Sequence, residues 1–265
     1  MKRGLEQYGH STVAALRISI AAICLFPFAI KSFKRVQRTH WKYLILSGFL
    51  GNGIPAFLFT YAQTEISSAM SGMLNSLTPI FALIIGLLLF NNKINSLKIL
   101  GVFIGLIGAI GLILSEGFSI KSTNLSYSFL IVLATICYAF SVNIIKTYLK
   151  DVNSIAITSL AFLSIGPLTI IYLILETSFF DEIKTTTTFL PLFYITILAV
   201  VGTALSVILF NLLIKRVSTL FATSVTYLIP AFAIMWGVID GETLNYLHII
   251  SLFITLIGIY FINKY

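Results

Sequence analysis

Residues 51–91 read GNGIPAFLFTYAQTEISSAMSGMLNSLTPIFALIIGLLLFN, and residues 202–242 read GTALSVILFNLLIKRVSTLFATSVTYLIPAFAIMWGVIDGE. Laid side by side without a gap, at an offset of 151 positions, Gly51 falls on Gly202, Phe59 on Phe210, Ser67 on Ser218 and Gly86 on Gly237. Within the match, Pro79-Ile80-Phe81-Ala82 aligns with Pro230-Ala231-Phe232-Ala233. Self-similarity at one fixed long offset marks a duplicated unit. The expected division is a first half over 1–121 and a second over 122–265.

Composition identifies the solvent around these halves. Of 265 residues, 58% are hydrophobic and 10% charged, and the mean hydropathy is +1.01. A soluble domain carries about 25% charged residues, so this chain lacks the polar side chains to coat itself in water. Crossing a hydrocarbon core about 30 Å thick takes roughly 20 apolar residues per helix. Nine such segments are expected, at 11–30, 43–62, 69–90, 98–114, 125–145, 155–175, 190–214, 219–239 and 246–262. In lipid the backbone must satisfy itself, which leaves helices or closed barrels. These runs are too long and too continuously apolar for barrel strands. The predicted fold is an all-α polytopic membrane protein with no soluble domain. Met1-Lys2-Arg3 precedes an apolar stretch, but Arg17 interrupts it and no small-residue cleavage site stands out. That stretch reads as a retained helix and not a signal peptide.

The formal net charge of +8 is distributed by side of the membrane, which argues against a nucleic-acid partner. Lys31, Lys34, Arg35, Arg38, Lys42, Lys93, Lys98, Lys146, Lys150, Lys215, Arg216 and Lys264 all fall at alternate helix ends, hence on one side. The other side carries Lys2, Arg3, Lys121 and Lys184 with eight of the nine acids: Glu6, Glu65, Glu116, Glu176, Asp181, Glu182, Asp240 and Glu242. Loops rich in Lys and Arg stay in the cytoplasm. The expected topology has the N-terminus outside and the C-terminus inside, in the cytoplasmic membrane. Cys24 and Cys137 lie within helices and read as small apolar residues. The chain holds no CxxC, HExxH, GxSxG or glycine-rich phosphate loop, and His10, His40 and His248 sit at or beyond helix ends on different sides. No cofactor, metal or enzymatic activity is expected.

The halves are unequal. A helix at 125–145 precedes the one at 155–175, while nothing precedes the one at 11–30. Yet Lys2-Arg3-Gly4-Leu5 resembles a helix tail, as Lys146-Thr147-Tyr148-Leu149 ends its own helix. An odd number of helices per unit makes the second copy insert inverted, so the plan reads as four plus five. Arg17 lies a few residues into its helix. Tyr61-Ala62 is followed by Ser67-Ser68-Ala69 and then by Pro79, the second half repeats this as Ser218-Thr219 and Tyr227-Leu228-Ile229-Pro230, and Gly241-Glu242 precedes the last helix. In the order and spacing of these features the chain resembles the drug/metabolite transporter superfamily, in its EamA-type branch, which is built from two inverted five-helix repeats. The resemblance covers nearly the whole chain. The first-half loop departs from it, reading Asn91-Asn92-Lys93 without the glutamate. It also implies a family first helix that this sequence lacks, through a shortened gene product or an earlier start. That helix is expected to pack against the segments at 43–62 and 69–90.

Arg17 is the basic residue well inside a span, roughly 10 Å below its outer end at 1.5 Å per residue. Charges at such depth are costly and mark function, but a long side chain within a turn or two of the interface also snorkels outward, and both readings stand. Candidate substrate-binding residues are Arg17, Asn52, Thr60, Asn75, Tyr138, Asn143, Asn211 and Tyr227, with Asn211 at the repeat position of Thr60. Each alone is as well explained by a hydrogen bond between helices; as a set they fit a cavity. Pro55, Pro79 and Pro230 are candidate kinks, since proline removes an intrahelical hydrogen bond. Gly101, Gly105, Gly108 and Gly111 make a flat face suited to close packing within the chain or with a second copy in a homodimer.

Duplicated halves with a polar midplane are the plan of a secondary transporter. The expectation is export of a small metabolite by alternating access, with amino acids and related zwitterions or carboxylates leading because one embedded Arg lies among neutral polar groups. Coupling through a membrane-embedded carboxylate is not expected. The alternatives are a membrane-embedded enzyme or lipid-handling protein, and an inactive truncated transporter. The expected partners are the lipid bilayer and a small-molecule substrate.

Overall fold

The computed structural model describes residues 2–5, 7–66, 68–92, 95–114, 125–176, 179, 189–229, 232 and 246–264. Among these residues the chain is helical throughout, and helix lies in each of the nine expected segments. A short α1 (Lys2–Leu5) leads to α2 (His10–Phe33), α3 (Trp41–Gly48), α4 (Ile54–Ala62), α5 (Ser68–Asn75), α6 (Thr78–Leu89) and α7 (Ser96–Leu114). The second half holds α8 (Leu125–Tyr148), α9 (Ser154–Leu175), α10 (Leu190–Ala199), α11 (Ser206–Arg216), α12 (Thr219–Ser224) and α13 (Tyr246–Lys264). Asn153 starts α9 by accepting the Ile155 N–H at 2.8 Å, and Ser218 starts α12 by accepting that of Phe221 at 3.2 Å, each taking up a donor that the first turn leaves free. Large apolar side chains such as Ile23, Phe26, Leu88, Ile107, Phe129 and Phe253 stand exposed around the bundle, as lipid-facing residues do.

Two helix pairs show how the copies meet. Helices α2 and α9 cross where Ala22 touches Gly166, and each of these is the thirteenth residue of its helix. Ser19, three residues before Ala22, shares a hydrogen bond of 3.1 Å with Thr169, three residues after Gly166. The two helices therefore run antiparallel, and the corresponding points of the two copies face each other. Helices α7 and α13 do the same. Gly101 lies against Gly258, Phe261 and Ile262, Gly105 against Gly258, Gly108 against Thr255 and Gly111 against Ser251. The glycine face of α7 is thus used within the chain. Lipid offers no hydrophobic drive for helices to associate, so close backbone approach at small residues supplies the contact.

The irregularities are duplicated too. The span from α3 to α4 widens into a π-helical turn at Phe49–Gly53, and the span from α10 to α11 does so at Val200–Leu205, the same place in the repeat. Pro79 stands in the first turn of α6, where the missing N–H costs nothing, while Pro55 follows directly on the π-helical turn inside a continuous span. At Pro79 the expected single helix over 69–90 is instead two, α5 and α6, parted at Ser76-Leu77. In the second half a 3-10 turn at Val225–Leu228 follows α12. Pro230 and the acids Asp181, Glu182, Asp240 and Glu242 lie outside the described residues.

Helix α8 packs across the duplication, against α3 to α6 of the first half. Ser141 donates to the Ser47 carbonyl at 3.3 Å, Asn143 to that of Ala82 at 3.1 Å, and the Tyr148 and Tyr43 rings stack with centroids 4.1 Å apart. Beside 43–62 and 69–90 the structure places this second-half helix. Its small and polar inner face, with Ala134, Ala139, Ser141 and Asn143 buried, makes that fit.

The glycine contacts set one expectation. A side chain at Gly108 would run into the Thr255 backbone, so Gly108→Leu should cost about 1–3 kcal/mol through overpacking. Ile107→Ala, on the exposed side of the same helix, should change stability by less than about 0.5 kcal/mol. Unfolding in detergent micelles, followed by tryptophan fluorescence, checks the contrast.

Candidate functional site

A cavity of about 620 Å³ lies between the halves. Its walls come from α2 to α6, both π-helical turns, α8, α9, α11 and the turn after α12. The polar lining includes repeat-related pairs: Asn52 and Thr203 hold the same place in the two π-helical turns, and Asn75 and Thr226 correspond likewise. Gly51 and Gly202 flank the first pair. Arg17 is the cation in this lining, and Ala161, which is the eighth residue of α9 as Arg17 is of α2, lines the same cavity. The site is twofold in shape and onefold in charge.

Each polar group has a local reason for its direction. The wide turn at Val200–Leu205 lets the Thr203 hydroxyl reach the Leu198 carbonyl five residues back, at 3.0 Å. Its oxygen then accepts a hydrogen bond from Arg17 Nε at 2.6 Å. This places the guanidinium at the cavity wall, so Arg17 points inward and not toward the interface. Its terminal nitrogens make no hydrogen bond among the described residues, and neither do the Asn52 amide and the Tyr138 hydroxyl, which line the same space. All three are partly buried and face one cavity, where a ligand or water can meet their hydrogen bonds.

The floor toward the basic end is apolar, formed by Ile145, Ile157 and Ile214. Below it the helix ends are tied together. Lys146 Nζ donates to the Val217 carbonyl at 2.7 Å and the Lys215 carbonyl at 3.3 Å, and Lys215 Nζ donates to that of Val152 at 2.7 Å. Lys146, at the terminal carbonyls of α11, complements the negative end of that helix dipole.

Of the eight candidate residues, the structure gathers Arg17, Asn52, Asn75, Tyr138 and Asn211 around the cavity. Asn211 also donates to Thr158 at 2.9 Å. The other three are not among the lining residues. Thr60 returns its hydroxyl to the carbonyls of Ala56 and Phe57 in its own helix. Asn143 binds the carbonyls of Ala82 and Ala139 and accepts from Asn92. Tyr227 is fully buried against α7, and its hydroxyl donates to the Val102 carbonyl at 2.8 Å. Ser47, Thr78, Ser141, Thr203 and Ser206 line the cavity without having been singled out. Thr203 was findable, since it occupies the repeat position of Asn52.

A duplicated helical bundle that crosses the membrane many times and encloses a cavity with polar groups in its wall has the build of a membrane transporter for small molecules. The chain belongs to the EamA-like transporter family, whose model matches residues 1–114 and 125–264. It is 27% identical over 158 residues to the uncharacterized transporter YoaV of Bacillus subtilis, covering 58% of this chain and 54% of that one. It is 26% identical over 147 residues to an uncharacterized transporter of Archaeoglobus fulgidus, covering 56% and 51%. The match thus spans about half the length of these curated relatives. A solved crystal structure shares the fold with a TM-score of 0.71 at 14% identity, over 95% of this chain and 85% of that one.

The two kinds of asparagine should separate by experiment. Asn143→Leu strips the Ala82 carbonyl and Asn92 of a partner and should cost about 1–3 kcal/mol. Asn52→Leu, which breaks no hydrogen bond among the described residues, should unfold within about 0.5 kcal/mol of the parent. Thermal unfolding of both variants in one detergent checks this.

Proposed function

We infer that this chain is a secondary transporter that exports small metabolites bearing a carboxylate, such as amino acids and related zwitterions, across the cytoplasmic membrane. The observation that carries the reading is the guanidinium of Arg17 at the wall of the cavity between the halves, with its terminal nitrogens unpaired beside Asn52 and Tyr138. A volume of about 620 Å³ lies in the range of small-molecule sites. A guanidinium holds a carboxylate through two parallel hydrogen bonds, and the neutral amides and hydroxyls suit the rest of a small polar solute. Crossings at small residues in α2–α9 and α7–α13 are surfaces on which the halves can rock, exposing the cavity to each side in turn.

Arg17 supplies the test. In proteoliposomes loaded with radiolabelled amino acids, efflux by Arg17→Lys should fall roughly 10–100-fold, since lysine keeps the charge but loses the fork. Arg17→Leu should abolish efflux while inserting at least as well, leucine being favoured where arginine costs about 2.5–3.5 kcal/mol. Near-normal flux in the lysine variant, at equal protein in the membrane, would remove Arg17 from the substrate site.

The topology follows the charges: the basic loops face the cytoplasm and the N-terminus faces outward. The structure brings Lys31, Arg35, Lys146 and Lys215 to one end, which supports a single basic face. In a cysteine-free background, an impermeant maleimide added outside intact cells should label a cysteine at position 182 and leave one at position 36 unlabelled. The reverse pattern would invert the orientation.

A further inference from the structure

A second cavity, of about 470 Å³, opens at the basic end of the bundle, away from the site between the halves. Lys31, in the last turn of α2, and Arg35, two residues beyond its end, form one wall, with Gln37 and His40 following them. Asp151 and Asn153, before and at the start of α9, form the other. The wall at 151–153 leads into the positive end of a 22-residue helix, where backbone N–H groups and the dipole favour an anion. Neither Lys31 nor Arg35 is paired with a carboxylate among the described residues. The side chains carry two cations against one acid, a surplus of one positive charge.

The flanks name the class of anion. Phe28 and Ile155 line the same cavity and are 47% and 39% exposed. They continue the apolar surfaces of α2 and α9 from the basic rim into the membrane. A ligand seated here has a singly charged head among Lys31, Arg35, Gln37 and Asn153 and an apolar part running along Phe28 and Ile155. Basic pockets at the membrane surface recognise lipid headgroups through this arrangement. We propose that this cavity is a binding site for the phosphodiester headgroup of an anionic phospholipid in the leaflet at the basic face. The site joins the end of a first-half helix to the start of a second-half helix, the pair that crosses at Ala22 and Gly166. A bound headgroup therefore links the two copies at their charged ends.

The full chain in a neutral detergent, titrated separately with phosphatidylglycerol, phosphatidylcholine and inorganic phosphate, tests the proposal by thermal shift and native mass spectrometry. Phosphatidylglycerol should raise the melting temperature and remain bound in the gas phase, and phosphatidylcholine should do so far less. The double variant Lys31→Gln, Arg35→Gln should bind phosphatidylglycerol roughly tenfold more weakly. Asp151→Asn, which removes the opposing charge, should bind it about fivefold more tightly. Equal responses to phosphatidylglycerol and phosphatidylcholine, or unchanged binding in both variants, overturn the site. Stabilisation by inorganic phosphate equal to that by the lipid overturns the lipid assignment and makes the cavity a site for a free anion.

Discussion

Close contact between backbones at small residues is the condition on which this structure rests. Helices in a bilayer gain nothing from hiding apolar side chains from lipid that is equally apolar. What remains is dispersion over a well-fitted surface, and fit requires that backbones approach. Gly166 beneath Ala22, and Gly101, Gly105, Gly108 and Gly111 beneath α13, let two antiparallel pairs come together at the boundary between the copies. The cavity exists because these pairs hold the halves at two places and leave space between them.

Into that space the two π-helical turns deliver polar groups at little cost. A turn one residue wider than the α-helix shifts hydrogen bonds to partners five residues away. Thr203 and Ser206 use that reach to satisfy themselves on Leu198 and Val201, and the Thr203 oxygen remains able to accept from Arg17. The result is a cation fixed by one nitrogen and open at the others. Outside the cavity, Asn143, Thr60 and Tyr227 spend their hydrogen bonds on backbone carbonyls.

The fold was largely legible in the sequence because its signals are local or periodic. Long apolar runs mark spans, and the 151-residue offset marks the copies. The glycines of α7 showed their spacing but not their partner, which turned out to be α13. The π-helical turns left no local mark, since Gly51 and Gly202 read the same in an unbroken helix. The parting of α5 from α6 at Ser76-Leu77 looked like a kink, because Pro79 is compatible with both. The candidate site was half legible. Asn52 and Asn143 are the same residue type at similar depth, and the carbonyl that claims one and spares the other belongs to a distant helix. Arg17 was ambiguous for the same reason: its direction depends on Thr203, 186 residues away.

The contact of Ala22 with Gly166 carries a history. The two residues hold the same position in the two copies, and they touch. Before the copies were joined in one chain, two separate subunits of this fold would have presented a single encoded residue to itself at this point. Any enlargement would have been counted twice, once from each side, so the gene was confined to the smallest side chains. Fusion released that constraint by giving each wall its own codon. The pair is now alanine against glycine, unlike residues filling a gap that two alanines would overfill.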